Sequence, residues 1–274
     1  MINIYELTAK NQFNFLRSLE GHHGIVNHLL YSSSNNCLVS SSEDTTIKIW
    51  DVQNHELMKT LTFHEDSVLL TALLTDLYAF CSFSNDKTLR IWDIESLEHR
   101  MAFKLDAKLT QVRYISIPEF SYCLACGDKF GFLYWLEDLN TNKVESKKRI
   151  KAHNGEIYHL IFLPQEKKLI SSGMDVCVKI WDVLTKDLTK ELTINEDILI
   201  PHISFDENLY ILTLASSNGI LRFMKFKEFK VLREIRENSD FNIILLDCER
   251  KKMLVAGREK NGENDYFLKL LVFS

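Results

Sequence analysis

Glycine is scarce in this chain, 9 of 274 residues, and no Gly-rich loop of the kind that cradles phosphate is present. Positive charge is short as well: 33 basic against 38 acidic residues leave a net charge of −5, and the isoelectric point is near 6.0. The whole molecule therefore lacks the field that non-specific nucleic-acid binding needs, and a nucleic-acid partner is disfavoured. No apolar run approaches the roughly 18–20 residues of a membrane-spanning helix, so membrane insertion is not expected. The start Met1-Ile2-Asn3-Ile4-Tyr5-Glu6 has no charged-then-apolar leader pattern, which places the protein in the cytoplasm or nucleus. Six cysteines are too few for a disulfide scaffold, and the close pair Cys123 and Cys126 has no second pair or His cluster to complete a zinc site. Reduced, mostly buried thiols are expected, with no metal and no cofactor.

What is present is apolar material in short alternating runs. At 46% hydrophobic and 26% charged, the chain can bury a full core. Runs such as Ile47-Lys48-Ile49-Trp50, Leu89-Arg90-Ile91-Trp92 and Val178-Lys179-Ile180-Trp181 alternate with period two, the signature of strands. Turn formers separate them, as in Ser32-Ser33-Ser34-Asn35-Asn36, Asn85-Asp86 and Ser217-Asn218-Gly219. An all-β chain follows.

These runs recur in register. Trp50, Trp92 and Trp181 each lie 6 residues after an aspartate, Asp44, Asp86 and Asp175. Each of these aspartates lies 22 residues after a histidine (His22, His64, His153) and 4 after a serine (Ser40, Ser82, Ser171). The pattern resembles the WD-repeat family of β-propellers, whose units of about 40–45 residues open on Gly-His and close on Trp-Asp. Gly21-His22 and Trp50-Asp51 carry the full signature, while Phe63-His64 and Ala152-His153 keep only the histidine. The resemblance covers essentially the whole chain and implies one propeller domain over residues 1–274.

With the register set, weaker copies end at Trp135, Met224 and Leu271, the third, fifth and sixth repeats. At the His and Asp positions they hold Lys108 and Lys129 in the third repeat and Glu196 and Asn218 in the fifth, while Asp265 keeps the acidic position of the sixth. Ile2-Asn3-Ile4-Tyr5-Glu6 matches a strand of the Trp-Asp type, and Gln12 to Leu19 follows as another strand. Six complete blades plus a partial seventh are expected. Either Gln12 to Leu19 completes the last blade, or Met1 to Leu19 stands as half of a seventh with open strand edges. The buried pattern at Ile2, Ile4 and Tyr5 favours the second, and an open edge invites strand addition by a partner.

A Ser, a His and an Asp together invite a hydrolase reading. Their recurrence at the same offsets in three repeats fits a structural device instead, and the resemblance implies that each set forms a buried hydrogen-bonded chain with the Trp indole. No His-Glu-x-x-His and no isolated carboxylate pair is present, so no catalytic residue is assigned. The densest basic stretch, Lys147-Lys148-Arg149-Ile150-Lys151, reads as a solvated outer strand or as a contact for phosphate or an acidic partner. Gly127-Asp128-Lys129-Phe130-Gly131 looks like the Asp-Lys-x-Gly-Asp stretch of the non-catalytic WD-repeat subunit of tRNA guanine-N7 methyltransferase, with Phe132 in place of the second Asp. The Arg three residues after the repeat Trp, frequent in substrate receptors of cullin ubiquitin ligases, is replaced by Gln53, Glu95 and Leu184.

The function implied is that of a non-catalytic scaffold for protein–protein interaction within a complex, the alternative being an accessory RNA-modification subunit. By analogy with WD-repeat proteins, partner contacts fall five residues after each His position, at Asn27, Leu69, Arg113 and Tyr158. The other contact positions lie one before each Asp position, at Glu43, Asn85, Asp128 and Met174.

Overall fold

The computed structural model describes residues 1–7, 13–105, 108–117, 121–137, 139, 145–193, 202–207, 209–236, 239–247, 252–259 and 266–272. Asp265 and Glu196 lie outside them. Strands account for nearly all regular structure, with one short 3-10 turn at Thr75–Leu77.

Among the described residues, five sheets have four strands in sequence order. The first holds β3 (Val26–Ser32), β4 (Cys37–Ser42), β5 (Ile47–Asp51) and β6 (Glu56–Leu61). The second holds β7 (Val68–Leu74), β8 (Ala79–Ser84), β9 (Thr88–Asp93) and β10 (His99–Lys104). Next come β11 (Leu109–Ile117), β12 (Ser121–Asp128), β13 (Phe132–Glu137) and β14 (Glu145–Lys151), then β15 (Ile157–Leu163), β16 (Lys168–Gly173), β17 (Cys177–Asp182) and β18 (Leu188–Thr193). The fifth holds β19 (His202–Asp206), β20 (Ile211–Ala215), β21 (Ile220–Lys225) and β22 (Lys230–Arg236). A three-stranded sheet follows, β23 (Ser239–Asp247), β24 (Lys252–Glu259) and β25 (Tyr266–Val272), and the N-terminal β1 (Ile2–Leu7) and β2 (Phe13–Leu19) form a two-stranded one. This is the expected all-β repeat architecture: six first-to-third strand sets and one partial blade.

The chain divides into two compact units, residues 1–126 with 136–147, and residues 127–135 with 148–274. In the first unit, Cys37, Val39, Ile47, Ile49 and Leu61 of one sheet pack on Val68, Phe80 and Trp92 of the next. In the second, Ile170, Val178 and Ile180 pack on Ile203, Leu212, Leu214 and Met224. Alternation places these side chains on the covered face of each strand, and each fully buried aliphatic side chain contributes roughly 1.5–3 kcal/mol. The Trp of each third strand faces the same second-strand position, with Leu38 opposite Trp50, Phe80 opposite Trp92 and Leu169 opposite Trp181.

The N-terminal hairpin reproduces a third–fourth strand pair down to its irregularity. Ile2 pairs with Leu19, Ile4 with Arg17 and Tyr5 with Phe15, skipping one residue. Ile47 pairs with Leu61, Ile49 with Lys59 and Trp50 with Leu57, skipping one residue at the same place. Ile2 and Leu19 are buried against Trp50, joined by Ile4, Val26 and Leu38. The hairpin thus stands on the first sheet as that sheet stands on the second.

The shortage of glycine is visible in the turns between second and third strands. Gly131 and Gly219 take φ of 82° and 84° there, and the other sheets place Thr45 (68°), Lys87 (64°) and Val176 (61°) in the same left-handed region. A β-branched side chain in that region is strained, whereas glycine is free to adopt it. Val176→Gly is expected to raise unfolding free energy by about 0.5–1 kcal/mol in urea titrations. Gly131→Ala should lower it, because a Cβ at Gly131 would lie 2.1 Å from the His153 carbonyl oxygen. Opposite signs at these two turn positions are the outcome that checks the account.

Candidate functional site

The three sets of Ser, His, Asp and Trp close into chains of fixed direction. In the first, Trp50 Nε1 donates to Ser40 Oγ at 2.8 Å, Ser40 Oγ meets His22 Nε2 at 2.7 Å, and His22 Nδ1 meets Asp44 Oδ2 at 2.7 Å. His64, Ser82, Asp86 and Trp92 repeat it at 2.8 Å throughout. His153, Ser171, Asp175 and Trp181 repeat it at 2.7–2.9 Å. An indole can only donate and a carboxylate only accept, so each imidazole carries a proton on Nδ1. In the neutral form, Nε2 accepts the serine hydroxyl proton.

Burial pushes the pKa of His22, His64 and His153 down, outweighing the raising effect of the facing aspartate. Burial pushes the aspartates up, but hydrogen bonds win: Thr88, His64 and the Glu65 amide hold Asp86 down at about 2. Thr46, the His23 amide and His22 hold Asp44 lower still. Asp175 is lowered by the Asn154 amide and His153 against the same burial. Each aspartate thereby ties the loop before the first strand to the turn between second and third, through His23 N and Thr46 N in the first sheet.

A hydrolytic role is hard to build on this geometry. Ser40, Ser82 and Ser171 have no exposed surface, and each Oγ already accepts an indole proton. A nucleophile must reach its substrate, and these hydroxyls are sealed between strands.

In the third sheet the chain is broken. Ala125 stands where the three complete repeats have Ser, and among the described residues the buried Trp135 Nε1 has no hydrogen-bond partner. Asp128, expected as a partner contact, is instead almost wholly buried, at 1% exposure. Its Oδ1 accepts the Phe130 and Phe132 amides, and its Oδ2 accepts the Tyr134 hydroxyl at 2.8 Å. The correction has a simple cause: a carboxylate one residue early takes over the turn, so Asp128 acts inside the blade and offers nothing to a partner. The residue pair that could have revealed it is Asp128 and Tyr134, six apart like Asp44 and Trp50. In the fifth sheet Leu214 and Met224 occupy the Ser and Trp positions and pack in the apolar core.

Other contact positions fall on one structural device. The first strand bulges in three sheets, its register shifting between Val26 and His28, between Val68 and Leu70, and between Ile157 and His159. The residues skipped are Asn27, Leu69 and Tyr158, each re-aimed by the bulge. Glu43, Asn85 and Met174 lie beside these strand entries: their amides donate to the carbonyl oxygens of Ile25, Ser67 and Glu156 at 2.8–2.9 Å. Glu43 and Met174 are exposed, Leu69, Asn85 and Tyr158 half-buried. Arg113 on β11 is exposed, yet desolvation by surrounding protein lowers its pKa. Asn27 is partly engaged, its Nδ2 donating to the Val68 carbonyl at 2.9 Å.

The basic stretch is tied internally. Lys148 Nζ donates to Asp187 at 2.9 Å, Arg149 stacks on the Phe132 ring at 3.8 Å, and Lys151 bonds the Phe130 carbonyl. Among the described residues no group of His, Cys, Asp and Glu is arranged to hold a metal, and Cys37, Cys81, Cys123, Cys126 and Cys177 are buried thiols outside any disulfide.

Comparison with known proteins accords with the repeat. The family model described as WD domain, G-beta repeat matches residues 13–51, 55–93 and 144–182. Periodic tryptophan protein 2 of Arabidopsis thaliana is 25% identical over 68% of the chain and 20% of its own length. The Denticleless protein homolog of Gallus gallus is 32% identical over 27% of the chain and 11% of its own length. Apoptotic protease-activating factor 1 of Homo sapiens is 27% identical over 59% of the chain and 12% of its own length. The chain spans a fifth or less of the length of these relatives.

Two expectations follow from the polar chains. Ser82→Ala strands both Trp92 and His64 and should cost about 1–3 kcal/mol, whereas Ala125→Ser supplies Trp135 with an acceptor and should cost nothing or stabilise; urea midpoints compare them. In acid, loss should come in two stages. The folded-state histidines resist protonation, so stability present above the ordinary value of 6.5 declines as pH falls below it. Asp86 contributes above 3.8, and that part is lost as pH falls toward 2. Denaturation midpoints at pH 7.5, 5.5 and 3 read both stages.

Proposed function

Because the chain is a WD-repeat protein, we propose that it is a non-catalytic scaffold that holds other proteins in a multi-protein complex. The observation that carries this is where the reactive-looking groups point. Every complete Ser-His-Asp set is consumed inside a sheet, while the bulged first-strand residues and their neighbours lie at the start of the first strands, outside these chains. Asn27, Glu43, Leu69, Asn85 and Arg113 form the contact set of the first unit, and Tyr158 and Met174 that of the second. Arg113 and Tyr158 are the expected anchors, since Arg and aromatic side chains dominate interface energetics. A second mode of binding is strand addition at the free edge of the N-terminal hairpin. Among the described residues the cysteines are buried and outside any disulfide, which suits the cytoplasm or nucleus, where cysteines stay reduced. Among the described residues no helix is long and apolar enough to cross a membrane.

The test is purification of the tagged full chain from its own cells, followed by chemical cross-linking and a serine-directed fluorophosphonate probe. A stoichiometric assembly whose recovery falls about tenfold on Tyr158→Ala or Arg113→Ala supports the reading. A lone chain with stoichiometric labelling at Ser40, Ser82 or Ser171 overturns it.

A further inference from the structure

The repeats inside this chain show what normally covers the first strand of a sheet. Thr71 and Leu160, seven residues after their His positions, are 5% and 1% exposed, and Ile203 at the same place is fully covered. Thr71 is covered by the preceding sheet, where His28 Nδ1 lies 2.9 Å from its hydroxyl. Strands of the first and second kind do this covering, since β3 and β4 both adjoin β7, as β20 adjoins β23.

The first sheet breaks this rule. Leu29, at the position of Thr71 and Leu160, is 46% exposed, and Tyr31 two residues on is 53% exposed. Its Trp50 is nonetheless buried, because Ile2, Ile4 and Leu19 of the hairpin cover it as Ile47, Ile49 and Leu61 help cover Trp92. The hairpin therefore supplies third and fourth strands only. Between the start of β1 and β3 there is a groove of ≈ 440 Å³, lined by Met1, Ile2, Asn3, Val26, Asn27, His28 and Leu29. No carboxylate, lysine or arginine lines it.

We infer that this groove is a slot for a β-hairpin of a partner protein, which enters as the first and second strands of a blade that β1 and β2 complete. This rests on the scaffold reading and gives it a concrete mode. The donated second strand lies antiparallel to β1, as β4 does to β5 and β8 to β9. Opposite Ile4 it carries a small aliphatic side chain, as Val39 stands opposite Ile49. Its other strand covers Leu29 and Tyr31. The chain's own described strands of the first and second kind are all paired with each other in their own sheets. The longest stretch between described strands, residues 194–201, is too short for two six-residue strands and a turn.

Two measurements test it. In the first, residues 66–87 of this chain, which hold β7, β8 and the following turn, are joined directly before Met1. Amide exchange over Ile2–Leu7 should slow at least about tenfold relative to the unmodified full chain, since the edge amides gain partners. Unchanged exchange means that the slot does not accept a hairpin, and the proposal fails. In the second, the assembly purified from its own cells should show the same protection, and Leu29→Asp with Tyr31→Asp should remove it and cut partner recovery about tenfold or more. The isolated double variant should melt with the parent, because both side chains are already exposed. An assembly that persists with Ile2–Leu7 unprotected overturns the slot but leaves the scaffold standing. No assembly at all overturns the scaffold reading itself. Protection gained by self-association of the isolated chain makes a second copy the occupant and overturns the partner.

Discussion

The four-stranded sheets of this protein carry apolar side chains on both faces, and the structure depends on covering those faces. A lone four-stranded sheet with Ile, Val, Phe and Trp on each side would expose far too much apolar surface to persist in water. Successive sheets within each unit solve this by standing face to face, so that Val39, Ile49, Phe80 and Trp92 share one core and Ile170, Ile180, Leu212 and Met224 another. The same requirement explains why Ile2, Ile4 and Leu19 are drawn onto Trp50: without them the first sheet would present its tryptophan to solvent.

Within that frame the buried polar chains set local geometry. An indole, a hydroxyl, an imidazole and a carboxylate pass a line of hydrogen bonds from the third strand through the second to the loop before the first, and low dielectric makes each link costly to leave unpaired. The chain tolerates two ways of losing it. The fifth sheet replaces Ser and Trp with Leu214 and Met224, removing the polar groups along with their needs. The third keeps Trp135, loses the serine, and carries an unpaired indole while Asp128 and Tyr134 organise its turn separately. Removing both partners is generally milder than removing one.

A geometry that resembles a catalytic triad thus serves as cross-strand bracing. Distances of 2.7–2.8 Å between Ser, His and Asp are as short as any nucleophile would need, yet the hydroxyl is sealed and its lone pair is taken by an indole. Surroundings, and not the residue set, decide the chemistry. The basic run 147–151 teaches the same lesson, because Lys148 and Arg149 read as free cations in sequence and are held by Asp187 and the Phe132 ring in space.

The sequence by itself determined the strands, the repeat and the identity of the bracing residues, because alternation and fixed spacing are one-dimensional properties: His22, Ser40, Asp44 and Trp50 are separated by the same intervals as their counterparts in the second and fourth sheets. It also determined that β1 has third-strand character, through Ile2 and Ile4. Only tertiary structure decided which surfaces go uncovered. Leu29 and Leu160 occupy the same place in their repeats and read alike, yet one is 46% and the other 1% exposed. Burial belongs to the neighbouring sheet and not to the residue, and no spacing along the chain records whether that neighbour brings two strands or four. Asp128 fell to the same cause, since its burial comes from the Tyr134 hydroxyl and the Phe130 and Phe132 amides folding over it.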